Sequence, residues 1–139
     1  MRATLPAFNY YMPSSIKEVV GLLTKLESAY LIAGGTDLIP GIRLKGIRPK
    51  SIISLNKLRG ELEYIRIDGG IIKIGALTKI SDIVNSEQIR DNAPCLHEAT
   101  TQMGSVQIRN IATIGGNLCN ASPAADTALP LLIYDAKLE

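Results

Sequence analysis

Apolar side chains recur with helical spacing in the segment SSIKEVVGLLTKL. The spacing of three and four residues is typical of an amphipathic helix with one buried face. Ser15 followed by Glu18 forms a capping box, in which hydroxyl and carboxylate satisfy free backbone donors of the first turn. The apolar positions are Ile16, Val19, Val20, Leu23 and Leu26. The pattern predicts a helix that begins at about Ile16.

Three further segments have strand character. AYLIAGGTDLIPGI begins as a short apolar strand that runs into Gly34 and Gly35, with Thr36 or Asp37 placed to cap the helical turn that follows. SIISL reads as a short buried strand. In LEYIRIDGGIIKIGA, two β-rich runs flank an Asp-Gly-Gly turn, which predicts a tight hairpin.

The remaining pattern predicts mainly helices. Helices are expected near KISDIV, through APCLHEATTQM, and near AADTALPLLIY. Strands and helices are mixed without a regular βαβ repeat. The segment 55–60 is the expected boundary between a small α/β lobe, residues 1–56, and a second lobe, residues 57–139. Two lobes predict a cleft.

Composition narrows the class of protein. The 139 residues are enough for one compact domain, and 46% are hydrophobic with one Phe and no Trp, which favours strands packed on helices. A net charge of +2 gives no support for nucleic-acid binding. No apolar run reaches the roughly 18 residues of a membrane span, and no secretory signal is recognisable, so we expect a cytoplasmic protein. Cys95 and Cys119 lack metal-ligand spacing and are expected as reduced thiols.

Two glycine pairs suggest a site for an anion. Sites that wrap phosphate oxygens in main-chain N–H donors favour Gly, because a Cβ keeps the backbone at a distance and restricts φ. AGGTD and TIGGN are both of this kind. Neither GxGxxG nor GxxxxGK[ST] occurs, which argues against a Rossmann site and a P-loop. A glycine pair alone is more often a turn or bulge.

The strings around these pairs are more specific. AGGTDLIPGIRL and GSVQIRNIATIGGNLCNASPAAD closely resemble the two flavin-binding signatures of the FAD subunit of molybdenum hydroxylases, the family of xanthine dehydrogenase and carbon monoxide dehydrogenase medium subunits. The resemblance runs from about Phe8 to the last residue. It implies an α+β, two-lobed FAD-binding fold of the vanillyl-alcohol oxidase or PCMH-like type.

The resemblance also implies a set of cofactor contacts. One loop on the FAD pyrophosphate would come from the first signature and a second loop from the second, with Gly104 beside the cofactor and Asp126 accepting hydrogen bonds from a ribose or ribityl hydroxyl. A carboxylate suits that task because it accepts from two donors at once. The implied residues are Leu31, Ile32, Ala33, Gly34, Gly35, Thr36, Asp37, Leu38, Gly104, Thr113, Ile114, Gly115, Gly116, Asn117 and Asp126.

The implied function is electron transfer. In the family, electrons pass from a molybdenum cofactor through two [2Fe-2S] centres on other subunits to FAD, and then to an external acceptor. The implied partners are an iron–sulfur small subunit and a molybdopterin large subunit. No residue resembles a covalent catalyst or a general base, and we expect no activity from the chain alone.

Family members continue past the position that matches YDAKLE. The chain is therefore expected to end on an incoming strand, to lack the C-terminal domain, and to need a complementary C-terminal half. An alternative is a truncated or split FAD-domain fragment with an assembly role and no turnover. A stand-alone flavin oxidase would require a substrate domain that the sequence does not supply.

Other polar residues have plainer interpretations. His97, the single histidine, is expected in a surface or packing role. The basic run Arg43, Lys45, Arg48 and Lys50 is expected as a solvated face, with docking of an acidic partner as the alternative. Cys119, inside the second signature, is expected to be a small buried residue.

Overall fold

The structure, a computed structural model, describes residues 4–139. The chain divides into two compact units between Glu61 and Leu62. We call residues up to Glu61 unit 1 and residues from Leu62 unit 2. The division falls later than the expected end of the first lobe at residue 56, and the assignment of these ranges to the lobes of an FAD-binding fold stays a prediction.

Unit 1 is a three-stranded parallel sheet with helical connections. Its elements are β1 (Asn9–Tyr11), α1 (Ile16–Lys25), β2 (Ala29–Ile32), α2 (Leu38–Leu44) and β3 (Ser51–Ser54). The strand order is β1-β3-β2, and β3 pairs in parallel with both neighbours. The expectation that no regular βαβ repeat is present is wrong for this unit: β1 was not predicted, and only a helical turn was expected where α2 forms.

The predicted start of α1 is confirmed, with a shifted cap. The Oγ of Ser15 accepts from the main-chain N–H of Glu18 at 3.2 Å. The Glu18 carboxylate accepts instead from the main-chain N–H of Ser14 at 2.8 Å, one residue before the N-cap. Both the hydroxyl and the carboxylate therefore satisfy free donors at the helix start, as a capping box does.

Helix α2 contains two residues that usually argue against a helix. Pro40 lies in the first turn, where its missing N–H would have had no intrahelical acceptor. Gly41 is buried, and a Cβ there would lie 2.7 Å from the Cδ1 of Ile47. Asp37 occupies the N-cap position without a side-chain hydrogen bond, so the prediction that Thr36 or Asp37 caps this helix through its side chain is wrong.

The predicted buried strand SIISL is confirmed as β3. All four of its residues are buried, and Ile52 and Ile53 are 1% and 0% exposed. Val19 of α1 and Ile42 of α2 are also buried. The central strand and one face of each helix thus form the apolar core of unit 1.

Unit 2 begins with the predicted hairpin. Strands β4 (Ile65–Asp68) and β5 (Ile71–Ile74) pair antiparallel, with Ile65 opposite Ile74. Gly69 and Gly70 have φ of +57° and +80°, the two successive positive values that a type I′ turn requires.

Short helices complete the chain. Ile80, Ile83, Ile89 and Leu96 are at most 1% exposed and form the centre of the unit 2 core. The predicted helices near KISDIV, APCLHEATTQM and AADTALPLLIY are confirmed as α4 (Ile80–Val84), α6 (Pro94–Gln102) and α9 (Ala128–Ile133). After a 3-10 turn (Asn56–Leu58), the helices are α3 (Arg59–Leu62), α4 (Ile80–Val84), α5 (Glu87–Asn92), α6 (Pro94–Gln102), α7 (Val106–Arg109), α8 (Ile114–Cys119) and α9 (Ala128–Ile133).

The expected strand at residues 136–139 is wrong. Asp135 has a φ of +50°, and its N–H donates to the carbonyl of Leu132 while the N–H of Ala136 donates to that of Leu131. These two bonds form a Schellman motif, which ends α9. The described residues after it form no regular element. The main-chain N–H of Cys95, in α6, donates to the hydroxyl of Tyr134 at 3.0 Å.

Thr78 supplies a test of the unit 2 core. It is 1% exposed, and its Oγ1 donates to the carbonyl of Tyr64 at 2.9 Å and accepts from the Tyr64 N–H at 3.1 Å. We expect Thr78→Val to lower the free energy of unfolding by about 1–3 kcal/mol, because it leaves the half-buried main-chain N–H of Tyr64 without an acceptor and the Tyr64 carbonyl with only the bond from the Gly75 N–H. Urea denaturation measures this. Thr78→Ser keeps the hydroxyl and should retain most of the stability; equal losses in both variants would contradict the explanation.

Candidate functional site

The first glycine pair lies in the loop between β2 and α2. Among the described residues, no main-chain N–H from Ala33 to Leu38 donates to a protein acceptor. Gly35 has a φ of +73°, in the left-handed region that favours glycine. A run of successive N–H groups around a left-handed residue forms a concavity that binds anions. We call residues 33–38 the donor loop.

The chain itself fixes the shape of the donor loop. The carbonyls of Gly35 and Asp37 accept from the N–H groups of Ile39 and Gly41 at 3.0 and 2.9 Å. A Cβ at Gly35 would lie 3.0 Å from the Cδ1 of Ile32, so that side chain packs close to the glycine. The carbonyls are thus used for the helix, while the N–H groups stay available to a ligand.

The second signature is not a bare loop. Thr113 is the N-cap of α8, and its Oγ1 accepts from the N–H of Gly116 at 3.1 Å. The N–H of Ile114 donates to the carbonyl of Thr78, and that of Gly115 to the carbonyl of Ala76. The expectation of a second loop of main-chain donors is therefore wrong: residues 114–117 lie in a helix whose first three N–H groups have protein acceptors.

Gly115 is required for close packing. A Cβ at this position would lie 2.7 Å from the carbonyl oxygen of Ala76 and 2.9 Å from its Cβ. The two segments also pair through a bridge between Lys79 and Thr113, in which the N–H of Ile80 donates to the carbonyl of Ala112. The glycine thus lets α8 start directly against the segment that follows the hairpin.

The side chain of Asn117 is bound to a residue that sequence reasoning missed. Its Oδ1 accepts from the Thr127 hydroxyl at 2.6 Å and from the Thr127 N–H at 3.4 Å. Thr127 is 0% exposed. No local spacing or periodicity signals this pair, because the two residues lie ten positions apart across irregular chain.

Asp126 is exposed, and its carboxylate makes no hydrogen bond or ion pair to any described residue. Helix α9 has no side-chain cap, so the carboxylate does not serve the start of that helix. Gly104 follows α6 with a φ of +53°. Arg109 fixes this turn, since its Nη1 donates to the carbonyls of Met103 and Gly104 at 3.0 and 3.1 Å.

The candidate residues are divided between the two units. Unit 1 carries Leu31, Ile32 and the donor loop. Unit 2 carries Gly104, the second signature and Asp126. Within unit 2, the hydrogen bond from the Thr127 hydroxyl to Asn117 brings α8 to the residue beside Asp126.

The remaining polar residues have structural partners or are exposed. His97 is half-buried with its Nε2 3.0 Å from the carbonyl of Val84, which confirms a packing role. Cys119 is exposed, so the expectation of a buried residue is wrong; it ends a helix and its side chain faces solvent. Both cysteines are free thiols, as expected.

The basic run is a solvated face as expected, since all four of its residues are exposed. Arg48 donates from Nη1 to the carbonyls of Ile42 and Ile47, and so serves the end of α2. Lys50 pairs with Glu27 at 3.1 Å on the surface. Arg43 and Lys45 are exposed.

A surface depression lies away from the candidate residues. A shallow groove of about 640 Å³ along α1 is lined by residues such as Tyr11, Pro13 and Leu22, and by none of the candidate residues. Within residues 4–139, no group of three or more His, Cys, Asp or Glu side chains could hold a metal ion. None of the helices described is long and apolar enough to cross a membrane.

A donor loop at the end of a parallel strand and a unit of hairpin and helices define an α+β protein whose main chain offers a candidate site for an anionic ligand. Over residues 6–139 the chain matches the family described as the FAD binding domain in molybdopterin dehydrogenase. The chain belongs to this family, and FAD is the family's cofactor.

Individual relatives agree with this assignment. The chain is 35% identical to the glyceraldehyde dehydrogenase medium chain of Sulfolobus acidocaldarius, covering 96% of this chain and 47% of the relative. It is 40% identical to the nicotinate dehydrogenase FAD-subunit of Eubacterium barkeri, covering 93% and 44%. The chain spans less than half the length of these relatives.

A solved structure supports the fold. Reconstituted CO dehydrogenase from Oligotropha carboxidovorans superposes with a TM-score of 0.85 at 35% identity, covering 89% of this chain and 43% of the solved chain. The expected α+β FAD-binding fold is thereby confirmed.

The close contact of Gly115 with Ala76 leads to a prediction about stability. We expect Gly115→Ala to lower the free energy of unfolding by about 1–3 kcal/mol, because the added methyl group would overlap the Ala76 carbonyl and force the segments apart. Cys119→Ala, at an exposed position of the same helix, is the matched control and should change stability by less than about 0.5 kcal/mol. Chemical denaturation of both variants decides it. A Gly115→Ala variant as stable as the control would show that the segments separate without cost.

Proposed function

We propose that this chain is the FAD-binding part of a molybdenum hydroxylase-type dehydrogenase, and that it passes electrons from iron–sulfur centres to an external acceptor. Membership of the FAD-binding family supports the cofactor. The observation that carries the proposal is the donor loop, whose N–H groups have no protein acceptor in the part of the chain described.

The donor loop fits the pyrophosphate of FAD. Phosphate oxygens are anionic and accept several hydrogen bonds each, and main-chain N–H groups supply them without a bulky side chain. Ala33, Gly34, Gly35, Thr36 and Asp37 would hold this group. Leu31, Ile32 and Leu38 would flank it. The Thr36 hydroxyl would add one donor beside the main chain.

Unit 2 is proposed to bind the cofactor differently. Because the N–H groups of Ile114, Gly115 and Gly116 already have protein acceptors, this signature would contribute a fixed surface, with Thr113 and Asn117 at its edges. Gly104 would lie beside the cofactor in a turn fixed by Arg109. The exposed carboxylate of Asp126 would accept from a ribose or ribityl hydroxyl.

The isoalloxazine of bound FAD would supply the redox chemistry, and the protein would orient it. No residue of this chain is proposed as a covalent catalyst or a general base. His97 is engaged with the Val84 carbonyl, which supports leaving it out of the chemistry.

The proposed partners are an iron–sulfur small subunit, a molybdopterin large subunit and a complementary C-terminal half, in the cytoplasm. Two matched relatives are named as medium chain and FAD-subunit, terms for components of larger enzymes. Exposed apolar side chains on α9 also support association: Leu129, Leu132 and Ile133 are 71%, 75% and 69% exposed. We propose no turnover by the chain alone.

The donor loop gives a sharp test. Gly35→Val should weaken FAD binding by about tenfold or more, since a branched residue cannot keep the left-handed φ and N–H bonds to phosphate would be lost. Thr36→Ser keeps its hydroxyl and should bind nearly as the parent does. Fluorescence titration with FAD measures both, and ADP, which carries the pyrophosphate without the flavin, should compete with FAD in the parent.

Gly46→Val is the matched control for backbone strain. Gly46 has a φ of +76°, lies in the same unit outside the donor loop, and has open space around a Cβ. It should share the loss of stability with Gly35→Val and keep the FAD affinity. Equal FAD affinities in these two variants would contradict the proposed role of the donor loop.

Partner dependence is a separate prediction. We expect weak FAD retention by the isolated chain and stronger retention when a complementary half or the partner subunits are added, because a partner that completes the site lowers the ordering cost of binding. Visible absorbance of the purified samples measures bound flavin. Stoichiometric FAD held tightly by the isolated monomer would contradict this expectation. A complex that assembles normally without flavin would favour the assembly fragment instead.

A further inference from the structure

Thr127 is a buried polar residue at an irregular part of unit 2. Its side chain is 0% exposed, and its hydroxyl donates to the Oδ1 of Asn117 at 2.6 Å. Because the Thr127 hydroxyl is buried, this short bond is costly to leave unmade. The pair joins α8 to the residue before α9.

The orientation of the Asn117 amide follows from the second bond. The Thr127 N–H, 3.4 Å away, can only donate, so the amide oxygen and not the amide nitrogen must face Thr127. The Oδ1 atom therefore has two protein donors and is not free to bind a cofactor. The side-chain oxygen of Asn117 therefore serves a contact within the protein.

The chain between these residues has little else to hold it. Residues 120–124 are exposed, and Ala121 has a φ of +50°. The hydrogen bonds in this segment are local, such as those from the N–H groups of Ala124 and Ala125 to Ser122. The exposed Asp126 comes at the end of this segment, immediately before Thr127. The hydrogen bonds from Thr127 to the Asn117 side chain thus tie this end of the segment to α8.

We propose that Thr127 is a positioning residue for Asp126. Its bond to Asn117 fixes the main chain next to Asp126 and so places the carboxylate to accept from a hydroxyl of the cofactor's sugar-type part. This inference rests on the proposed function, in which Asp126 binds that hydroxyl. In this proposal Thr127 contacts no cofactor atom itself. Its role is to hold Asp126, which does, in position.

The test is a double-mutant cycle on FAD affinity, measured by fluorescence titration. Thr127→Val keeps the branched shape and removes the hydroxyl, and it should weaken FAD binding by about tenfold. Thr127→Ser restores the hydroxyl and should bind within about twofold of the parent. In an Asp126→Ala background, Thr127→Val should cause less than about a twofold further loss, because the group that it positions is gone.

Each outcome is decisive. A Thr127→Val loss of the same size with and without the Asp126 carboxylate would overturn the inference, since it would reflect a general structural effect. If Thr127→Val does not fold, Asn117→Ala removes the acceptor of the same bond at a half-buried position and replaces it in the cycle. Loss of affinity in Asp126→Ala with no loss in Thr127→Val would overturn the inference and leave the proposed function intact. A parent chain that binds no FAD, alone or with its partners, would overturn both.

Discussion

The close main-chain approach of Gly115 to Ala76 is the constraint on which the arrangement of unit 2 depends. It allows the N–H of Gly115 to reach the Ala76 carbonyl at 2.9 Å, alongside the bond from Ile114 to Thr78. Thr78 in turn holds the start of β4 through Tyr64. One contact without a side chain therefore links the hairpin, the second signature and the core. Any residue larger than glycine would separate them.

The two glycine pairs solve different problems with the same residue. In the second signature, Gly115 permits α8 to contact the main chain of Ala76. The first N–H groups of α8 donate to acceptors within the protein. In the donor loop, glycine permits a left-handed turn, and the donors are left for a ligand. Unpaired main-chain donors are normally avoided in folded proteins unless water or a ligand serves them. The contrast is why the donor loop, and not the glycine count, supports a binding function.

Local signals in the sequence predicted much of the fold. The cap and spacing of α1, the Asp-Gly-Gly turn of the hairpin and the apolar run of β3 were all readable, because each depends on neighbouring residues. A helical turn after Asp37 was predicted, but not its extension to Leu44, which tolerates Pro40 in the first turn and Gly41 packed against Ile47. The resemblance indicated the family and its cofactor.

Features set by long-range contacts could not be predicted. Whether an N–H in TIGGN is free depends on the carbonyls of Ala76 and Thr78, which lie far away in the sequence. The pairing of Asn117 with Thr127 likewise has no local signature. The strand expected at residues 136–139 followed from the family resemblance; instead Asp135, in the left-handed conformation, ends α9.

The shape of the donor loop has a kinetic consequence. Bonds from Ile39 and Gly41 to carbonyls of the loop fix its conformation from within the chain, so a ligand has little ordering of this segment to drive. Encounter rates should then be similar for related phosphate-bearing ligands. Differences between them would lie in residence time, as is usual among related complexes.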